Sequence, residues 1–86
     1  MHIEAVWPGA SPEDMESQII LRIEEVTSDI DGINWERAHA GEGAGWVHLT
    51  ANPSVDVDTL TTEVRSRVES ISGLPQGIEP IRVARQ

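Results

Sequence analysis

Histidines, carboxylates and a glycine-rich loop are the features of this 86-residue chain that could do chemistry. His39 and His48 flank the loop, and they would be near cross-strand neighbours if the hairpin is centred between Gly43 and Ala44. Two imidazoles together with Glu36 could then bind Zn²⁺. Because the register is open, the loop is flexible and no helical His-x-x-x-His pair occurs, we favour surface histidines and predict no metal site.

The other candidate groups fit structural roles better than catalytic ones. Gly41, Gly43 and Gly45 follow a strand but precede another strand, so they lack the helix N-terminus that makes a dinucleotide loop bind phosphate. Ser11 has no base placed near it by the sequence, and we interpret it as a helix cap rather than a nucleophile. Most carboxylates fall on helix faces that should be solvated: Glu13, Asp14, Glu16, Glu24, Glu25, Asp58, Glu63 and Glu69. We therefore predict no catalytic residue, no cofactor and no enzyme.

Composition narrows the possible partners. Fifteen acidic and six basic side chains give a formal net charge of −9, which repels phosphate backbones and anionic lipids. We therefore expect no nucleic-acid partner. The absence of cysteine excludes disulfides and thiolate metal sites. The longest run of large aliphatic residues, Ile19-Ile20-Leu21, is far shorter than the ~20 apolar residues of a spanning helix, and no signal-peptide pattern follows Met1.

The positioning elements follow from hydrophobic periodicity and turn signals. Alternation predicts strands over 2–7, 33–40, 46–51 and 78–84, and a helical period predicts helices from Pro12 to about Ser28 and from Asp56 to Gly73. The order βαββαβ predicts a ferredoxin-like α+β sandwich. Two helices should cover one face of a four-stranded antiparallel sheet, with strands one and three at its centre. On the third strand, Trp46, His48 and Thr50 should share the face opposite Val47, Leu49 and Ala51.

The first helix carries one departure from its apolar stripe, which is formed by Met15, Ile19, Ile23 and Val26. At 100° per residue Leu21 points nearly opposite that stripe, and Ile20 lies on its flank. Ile20 and Leu21 are therefore candidates for an apolar contact with a neighbouring subdomain, although single exposed apolar residues are common. The second helix should bury Val57, Leu60, Val64, Val68 and Ile71.

Other users of the βαββαβ fold need residues that this chain lacks. An RNA-recognition motif needs stacking aromatics on a basic sheet, metal chaperones of this fold use Cys-x-x-Cys, and an acylphosphatase-like enzyme needs an Arg in the first loop. Here that loop is Pro8-Gly9-Ala10. An amino-acid-sensing module of ACT type stays open, because backbone and a subunit interface form most of its ligand site.

One string carries both structure and a family signature: Val6-Trp7-Pro8-Gly9-Ala10-Ser11-Pro12-Glu13-Asp14-Met15-Glu16. Pro8 and Gly9 suit a turn, Ser11 an N-cap and Pro12 the first helical position. The string resembles the segment after the first periplasmic strand of the resistance-nodulation-division (RND) efflux transporters of the acriflavine-resistance or AcrB type. Ordered matches continue through Ile23-Glu24-Glu25-Val26, Ile30-Asp31-Gly32-Ile33, the Gly-rich hairpin before Val47, Val57-Asp58, Val64-Arg65-Ser66-Arg67-Val68 and Leu74-Pro75-Gln76-Gly77-Ile78-Glu79-Pro80.

The resemblance implies that residues 1–86 form one subdomain, the first periplasmic porter subdomain of a proton-driven pump in the inner membrane. It implies a homotrimer that works with a periplasmic adaptor (membrane fusion) protein and an outer-membrane channel to export amphipathic small molecules. By position, Trp46, His48 and Thr50 would border the substrate path. The side facing the trimer pore would consist of Asp58, Thr62, Arg65, Ser66 and Glu69, which is also the polar face of the helix and could equally be an ordinary solvated one.

Departures from the family pattern concern the subtype more than the fold. Trp7 replaces the usual Tyr, Arg22 stands where many members have Pro, and Trp35-Glu36 interrupts the common strand pattern. Metal-exporting relatives share the architecture, and the first turn favours the multidrug type. The alternative function is a stand-alone ferredoxin-like regulatory module that binds a small ligand at a dimer interface, and a small hydrolase is the weaker third possibility.

Overall fold

The computed structural model describes residues 1–85, which contain four strands and two helices. The strands are β1 (His2–Val6), β2 (Ile33–Ala40), β3 (Ala44–Ala51) and β4 (Arg82–Ala84). Helix α1 consists of the consecutive segments Pro12–Met15, Glu16–Ile20 and Leu21–Thr27. Helix α2 is Val57–Glu69. All neighbouring strands are antiparallel, in the order β2-β3-β1-β4. The predicted ferredoxin-like α+β sandwich is confirmed, including its two central strands.

The turn between β1 and α1 forms as its residue types predict. Gly9 has a φ of +86°, and the Ala10 N–H donates to the carbonyl of Trp7 at 3.1 Å. The Ser11 hydroxyl then accepts from the Asp14 N–H at 3.1 Å, and Pro12 occupies the first turn of the helix. This cap satisfies one of the free amides at the helix start and fixes where α1 begins.

The middle segment of α1, Glu16–Ile20, is a π-helical turn rather than an α-helical one. Its wider ring, closed by the Leu21 N–H and the Glu16 carbonyl, displaces the residues that follow it by about one position around the helix. Ile20 is therefore 4% exposed, and its expected place on the outer surface is wrong. The buried stripe also continues through Thr27 instead of Val26, which is only half-buried.

Helix α1 approaches the sheet closely at Gly45 of β3. A Cβ atom at that position would lie 2.9 Å from the Met15 Cγ and 3.2 Å from the Ile20 Cδ1. Only a glycine leaves room for the π turn to rest on the strand. One apolar core lies between the sheet and the helices, and its fully or nearly fully buried members include Ile3, Ala5, Met15, Ile19, Ile23, Val47, Leu49, Leu60, Val64 and Val68.

Helix α2 begins as predicted at Asp56 but ends earlier than predicted. The Asp56 carboxylate accepts from the Asp58 N–H at 3.3 Å and from the Thr59 hydroxyl at 2.7 Å, and these hydrogen bonds lower the pKa of Asp56. The helix closes at Glu69, so Ile71 and Gly73 lie beyond it. Ile71 still packs against the core from the segment after the helix, while Thr61 joins the buried side of the helix itself.

The last strand is shorter than the predicted 78–84. Only Arg82–Ala84 pairs with β1, from Glu4 to His2. Pro80 has no N–H to donate to the ladder, so pairing stops before it. The Glu79 N–H restores one backbone contact by donating to the Val6 carbonyl at 2.9 Å.

Arginines fasten the two helices to each other and to the segment after α2. Arg67 of α2 donates to the Val26 carbonyl of α1 at 3.0 Å and to the Asp29 carboxylate at 2.6 Å. The Arg67 guanidinium lowers the pKa of Asp29 through that hydrogen bond and through its charge. Arg22 of α1 donates to the backbone carbonyls of Ser72 and Gly73.

Candidate functional site

One face of the sheet carries no helix, and its side chains form two rows across the strands. The first row is His39, Trp46, Glu4 and Arg82, and the second is Arg37, His48, His2 and Ala84. Asn34 and Thr50 form a further pair beside the second row. We call this surface the open face. Paired residues point to the same side of a sheet, so these groups share one surface.

Trp46 is the centre of the open face. The imidazole of His2, on β1, stacks on the Trp46 indole with a centroid separation of 5.9 Å. The imidazole of His39, on β2, also lies with its centroid 5.9 Å from that of the indole. The guanidinium carbon of Arg37 is 5.8 Å from the indole centroid, which is cation–π distance. The indole is half-buried among these groups, while its remaining surface is accessible.

The hairpin register, which the sequence left open, does not pair the two histidines. Gly45 pairs with Ala40, so His39 lies opposite Trp46 and His48 lies opposite Arg37. Within residues 1–85, no group of three or more histidine, cysteine or acidic side chains is arranged to hold a metal ion.

A β-bulge at Glu36 decides which residues of β2 reach the open face. The register shifts between Trp35 and Arg37, so that Trp35 pairs with Leu49 and turns toward the helices. There the Trp35 Nε1–H donates to the Thr27 hydroxyl at 3.4 Å. The bulge thus moves one tryptophan into the helix layer and leaves Arg37 and His39 on the open face.

The cations of the chain are divided between the two layers. All six basic residues are arginines, and Arg22, Arg65, Arg67 and Arg85 each bind a carbonyl or a carboxylate on the helix side. Arg37 and Arg82 are on the open face, and among the described residues neither has a hydrogen-bond or ion-pair partner. Glu4 is the one carboxylate that the strand register places on this face, and it lies 3.7 Å from the His2 Nε2.

The predicted pore-facing residues lie together on the outer side of α2. Asp58, Thr62, Arg65, Ser66 and Glu69 are all exposed. Three of them are held by local bonds. Asp58 accepts from Arg85 at 2.6 Å, Arg65 donates to the Val83 carbonyl at 3.0 Å, and the Thr62 hydroxyl donates to the Asp58 carbonyl at 3.1 Å.

Glu69 also borders an apolar groove behind the end of α2. The groove has a volume of about 220 Å³, and its lining residues are Val68, Glu69, Ile71, Leu74, Pro80 and Ile81. It lies between the helix and the segment that leads to β4. No sequence pattern predicts this groove, because it depends on α2 ending at Glu69.

The predicted apolar contact on α1 is reduced to one residue. Leu21 is 44% exposed and is the large hydrophobic side chain most accessible among the described residues. Ile20 packs inward against β3 instead.

The predicted substrate-path residues are brought together, with neighbours that the prediction omitted. Trp46, His48 and Thr50 share the open face as expected from their alternation. His2, Arg37 and Arg82 are absent from the predicted site, yet the structure places them on the same surface. Alternation along β1 puts His2 on the face opposite Ile3 and Ala5, so the sequence could have identified His2. It could not identify Arg37, because the bulge decides on which face that residue lies.

Comparison with known proteins gives a family match. No curated protein matches the chain directly. Neither helix in the described part of the chain has the length and apolar composition needed to cross a bilayer. A model of the AcrB/AcrD/AcrF family, whose members are transporters rather than enzymes, matches residues 1–86. The chain therefore belongs to the AcrB/AcrD/AcrF family of RND efflux transporters.

Proposed function

We propose that this chain is the first periplasmic porter subdomain of a proton-driven RND multidrug efflux pump. In this role it catalyses no reaction. Its open face borders the substrate path, and the outer side of α2 faces the pore of a homotrimer. The observation that carries the proposal is the unequal covering of the sheet, since one face is sealed by helices and the other presents a half-buried Trp46 among polar groups.

The open face has the composition of a surface that contacts amphipathic molecules. Tryptophan offers a large apolar area together with a polar N–H group, and it loses little conformational entropy on binding. His48 and Thr50 on the same strand are half-buried donors and acceptors beside it. A few polar groups around an apolar centre are typical of small-molecule sites.

The outer side of α2 has the composition of a surface between protomers or of a pore lining. Thr62 and Ser66 are small, polar and exposed, so that copies of the helix could approach one another closely. The charged residues Asp58 and Arg65 are tied to β4 and its flank, which keeps their side chains along the domain surface. This arrangement supports a wet contact rather than an apolar seam.

The location and partners follow from the same proposal. The segment lies on the periplasmic side of the inner membrane, and the other porter subdomains contact it through surfaces such as Leu21. The periplasmic adaptor and the outer-membrane channel complete the assembly. Tilting of the compact α/β unit against its neighbours opens and closes the substrate path.

Cross-linking tests the trimer contact. The chain has no cysteine, so Ser66→Cys can be introduced into the full transporter after its other cysteines are replaced. Under oxidation or with a short bismaleimide, we expect cross-linked protomer pairs, because α2 helices from three protomers meet around one axis. Ser54→Cys, exposed in the turn before α2, is the matched control and should not cross-link.

The two variants give opposite answers if the proposal is wrong. Cross-linking through Ser54→Cys but not through Ser66→Cys would place another surface at the symmetry axis. If the 86-residue chain, expressed without the rest of a transporter, instead cross-links as a dimer, the result would favour the alternative of a stand-alone regulatory module.

A further inference from the structure

We propose that the open face selects aromatic organic anions, with the aromatic ring against Trp46 and the anionic group at Arg37 and His48. The proposal rests on the proposed function and adds a substrate class to it. The substrates of this surface would be aromatic carboxylates or sulfonates in preference to matched amides or amines.

Within residues 1–85, two arginines of the open face have guanidinium groups that are free to bind an anion. The chain carries a net charge of −9, yet Arg37 and Arg82 stand on this face without a hydrogen-bonding partner among the described residues. Four other arginines are engaged on the helix side. A guanidinium with its donors free is suited to bind a carboxylate or sulfonate through paired hydrogen bonds.

Arg37 lies beside an aromatic surface. Its guanidinium carbon is 5.8 Å from the Trp46 centroid, and His48 pairs with it across the strands. The ring and the anionic group of one small molecule can therefore contact Trp46 and Arg37 together. The imidazole of His48 supplies a further N–H donor at the same end.

The open face has few acidic side chains that could compete with an anionic ligand for its arginines. Glu4 is the one acid that the register assigns to the open face, and its carboxylate lies 3.7 Å from the His2 Nε2. Glu36 lies in the bulge, next to Arg37 in the chain but outside the register. The remaining acidic residues lie on the helices and in the turns and loops rather than in the two rows of the open face, and of these Glu13 and Glu16 border a pocket at its His39 edge.

The dimensions favour a small ligand over a macromolecular surface. Trp46 and Arg37 lie on neighbouring strands, and neighbouring strands are about 4.8 Å apart. A fused bicyclic ring with one anionic substituent covers this distance. The groups that carry the proposal span two strands, which is far less than the area of a stable protein interface.

Three naphthalene probes test the charge preference on the full 86-residue chain. Titrations with 2-naphthoate, 2-naphthamide and 2-naphthylmethylammonium, followed by backbone amide chemical shifts at low salt, give one dissociation constant each. We expect the anion to bind about tenfold more tightly than the amide, and the amine to bind most weakly. The gap between anion and amide should shrink as salt is added.

Two arginine variants locate the effect. Arg37→Gln should weaken binding of the anion about fivefold and leave the amide unchanged, because it removes a charge without removing the ring contact. Arg85→Gln removes the same charge on the helix side and should change neither. His48→Gln provides a second variant on the open face, with a smaller loss for the anion.

Several outcomes would overturn the inference. Equal affinity for the anion and the amide would do so, as would equal weakening of both probes by Arg37→Gln. Shifts confined to the groove behind α2 would assign the ligand to another surface. Self-association through the open face that 2-naphthoate does not displace would assign a second copy of the chain as its occupant.

Failure of the proposed function would be seen separately. The titration does not require transport, whereas the efflux role requires cross-linking through Ser66→Cys in the full transporter. Anion selectivity without that cross-linking supports the inferred ligand class and contradicts the trimer assignment. Cross-linking without anion selectivity supports the trimer assignment and contradicts the inferred ligand class.

Discussion

Replacing Ile20 or Leu21 by alanine should have very different effects, although the two residues are adjacent and equal in size. The π turn buries Ile20 to 4% exposure and leaves Leu21 44% exposed. Both substitutions remove three carbon atoms. The difference in stability therefore reports how the helix is wound at this point.

The magnitudes follow from burial. At about 0.8 kcal/mol per buried carbon, Ile20→Ala loses ~2.4 kcal/mol of transfer free energy, and the residual cavity beside Gly45 raises the cost to about 3 kcal/mol. Leu21→Ala loses roughly half the transfer term and leaves no closed cavity, which gives about 1 kcal/mol or less. For a chain of this size, ~3 kcal/mol is a large part of the total free energy of unfolding.

Urea denaturation followed by tryptophan fluorescence measures both variants. With a slope near 1 kcal/mol per molar urea, the midpoint should fall by about 3 M for Ile20→Ala and by about 1 M or less for Leu21→Ala. Equal shifts, or a larger shift for Leu21→Ala, would contradict the burial of Ile20 at the π turn.

Three further substitutions test contacts of the sheet and the helices. Gly45→Ala should destabilise the fold by about 1–3 kcal/mol in urea denaturation, since the new Cβ would meet Met15 at 2.9 Å, and a wild-type midpoint would contradict that contact. Asp29→Asn should lower stability at pH 7, but the deficit should shrink as the pH falls from about 4 through the lowered pKa of Asp29, because its pairing with Arg67 stabilises the fold only while the carboxylate is ionised. A deficit in urea denaturation that is constant with pH would assign the effect to something other than that charge. Thr27→Val should cost about 1 kcal/mol by the same measurement, since it removes a fully buried hydroxyl that donates to the Ile23 carbonyl and accepts from Trp35, and an unchanged stability would show that these bonds contribute nothing.

The order of elements could be predicted because each boundary has a local cause. Ser11 and Asp56 cap the helices through their own side chains, and alternation along β3 separates Val47 from Trp46. Such signals act within a few residues, so they are visible in the sequence. The ferredoxin-like topology then follows from handedness and strand order.

The details that were predicted wrongly depend on contacts between distant residues. The π turn forms where Ile20 meets Gly45 on another element, and periodicity within α1 cannot reveal that contact. The bulge at Glu36 likewise sets the side on which Arg37 emerges. The open face was therefore predicted in its β3 residues and missed in its residues from β1, β2 and β4.

Alkylation of cysteines in the working transporter tests the central claim most directly. Thr50→Cys lies on the open face and Thr62→Cys on the outer side of α2, so the two variants make the same substitution on opposite surfaces. A transported aromatic anion should slow the reaction of Thr50→Cys with a maleimide and leave that of Thr62→Cys unchanged. Protection of Thr62→Cys alone would contradict the assignment of the open face to the substrate path.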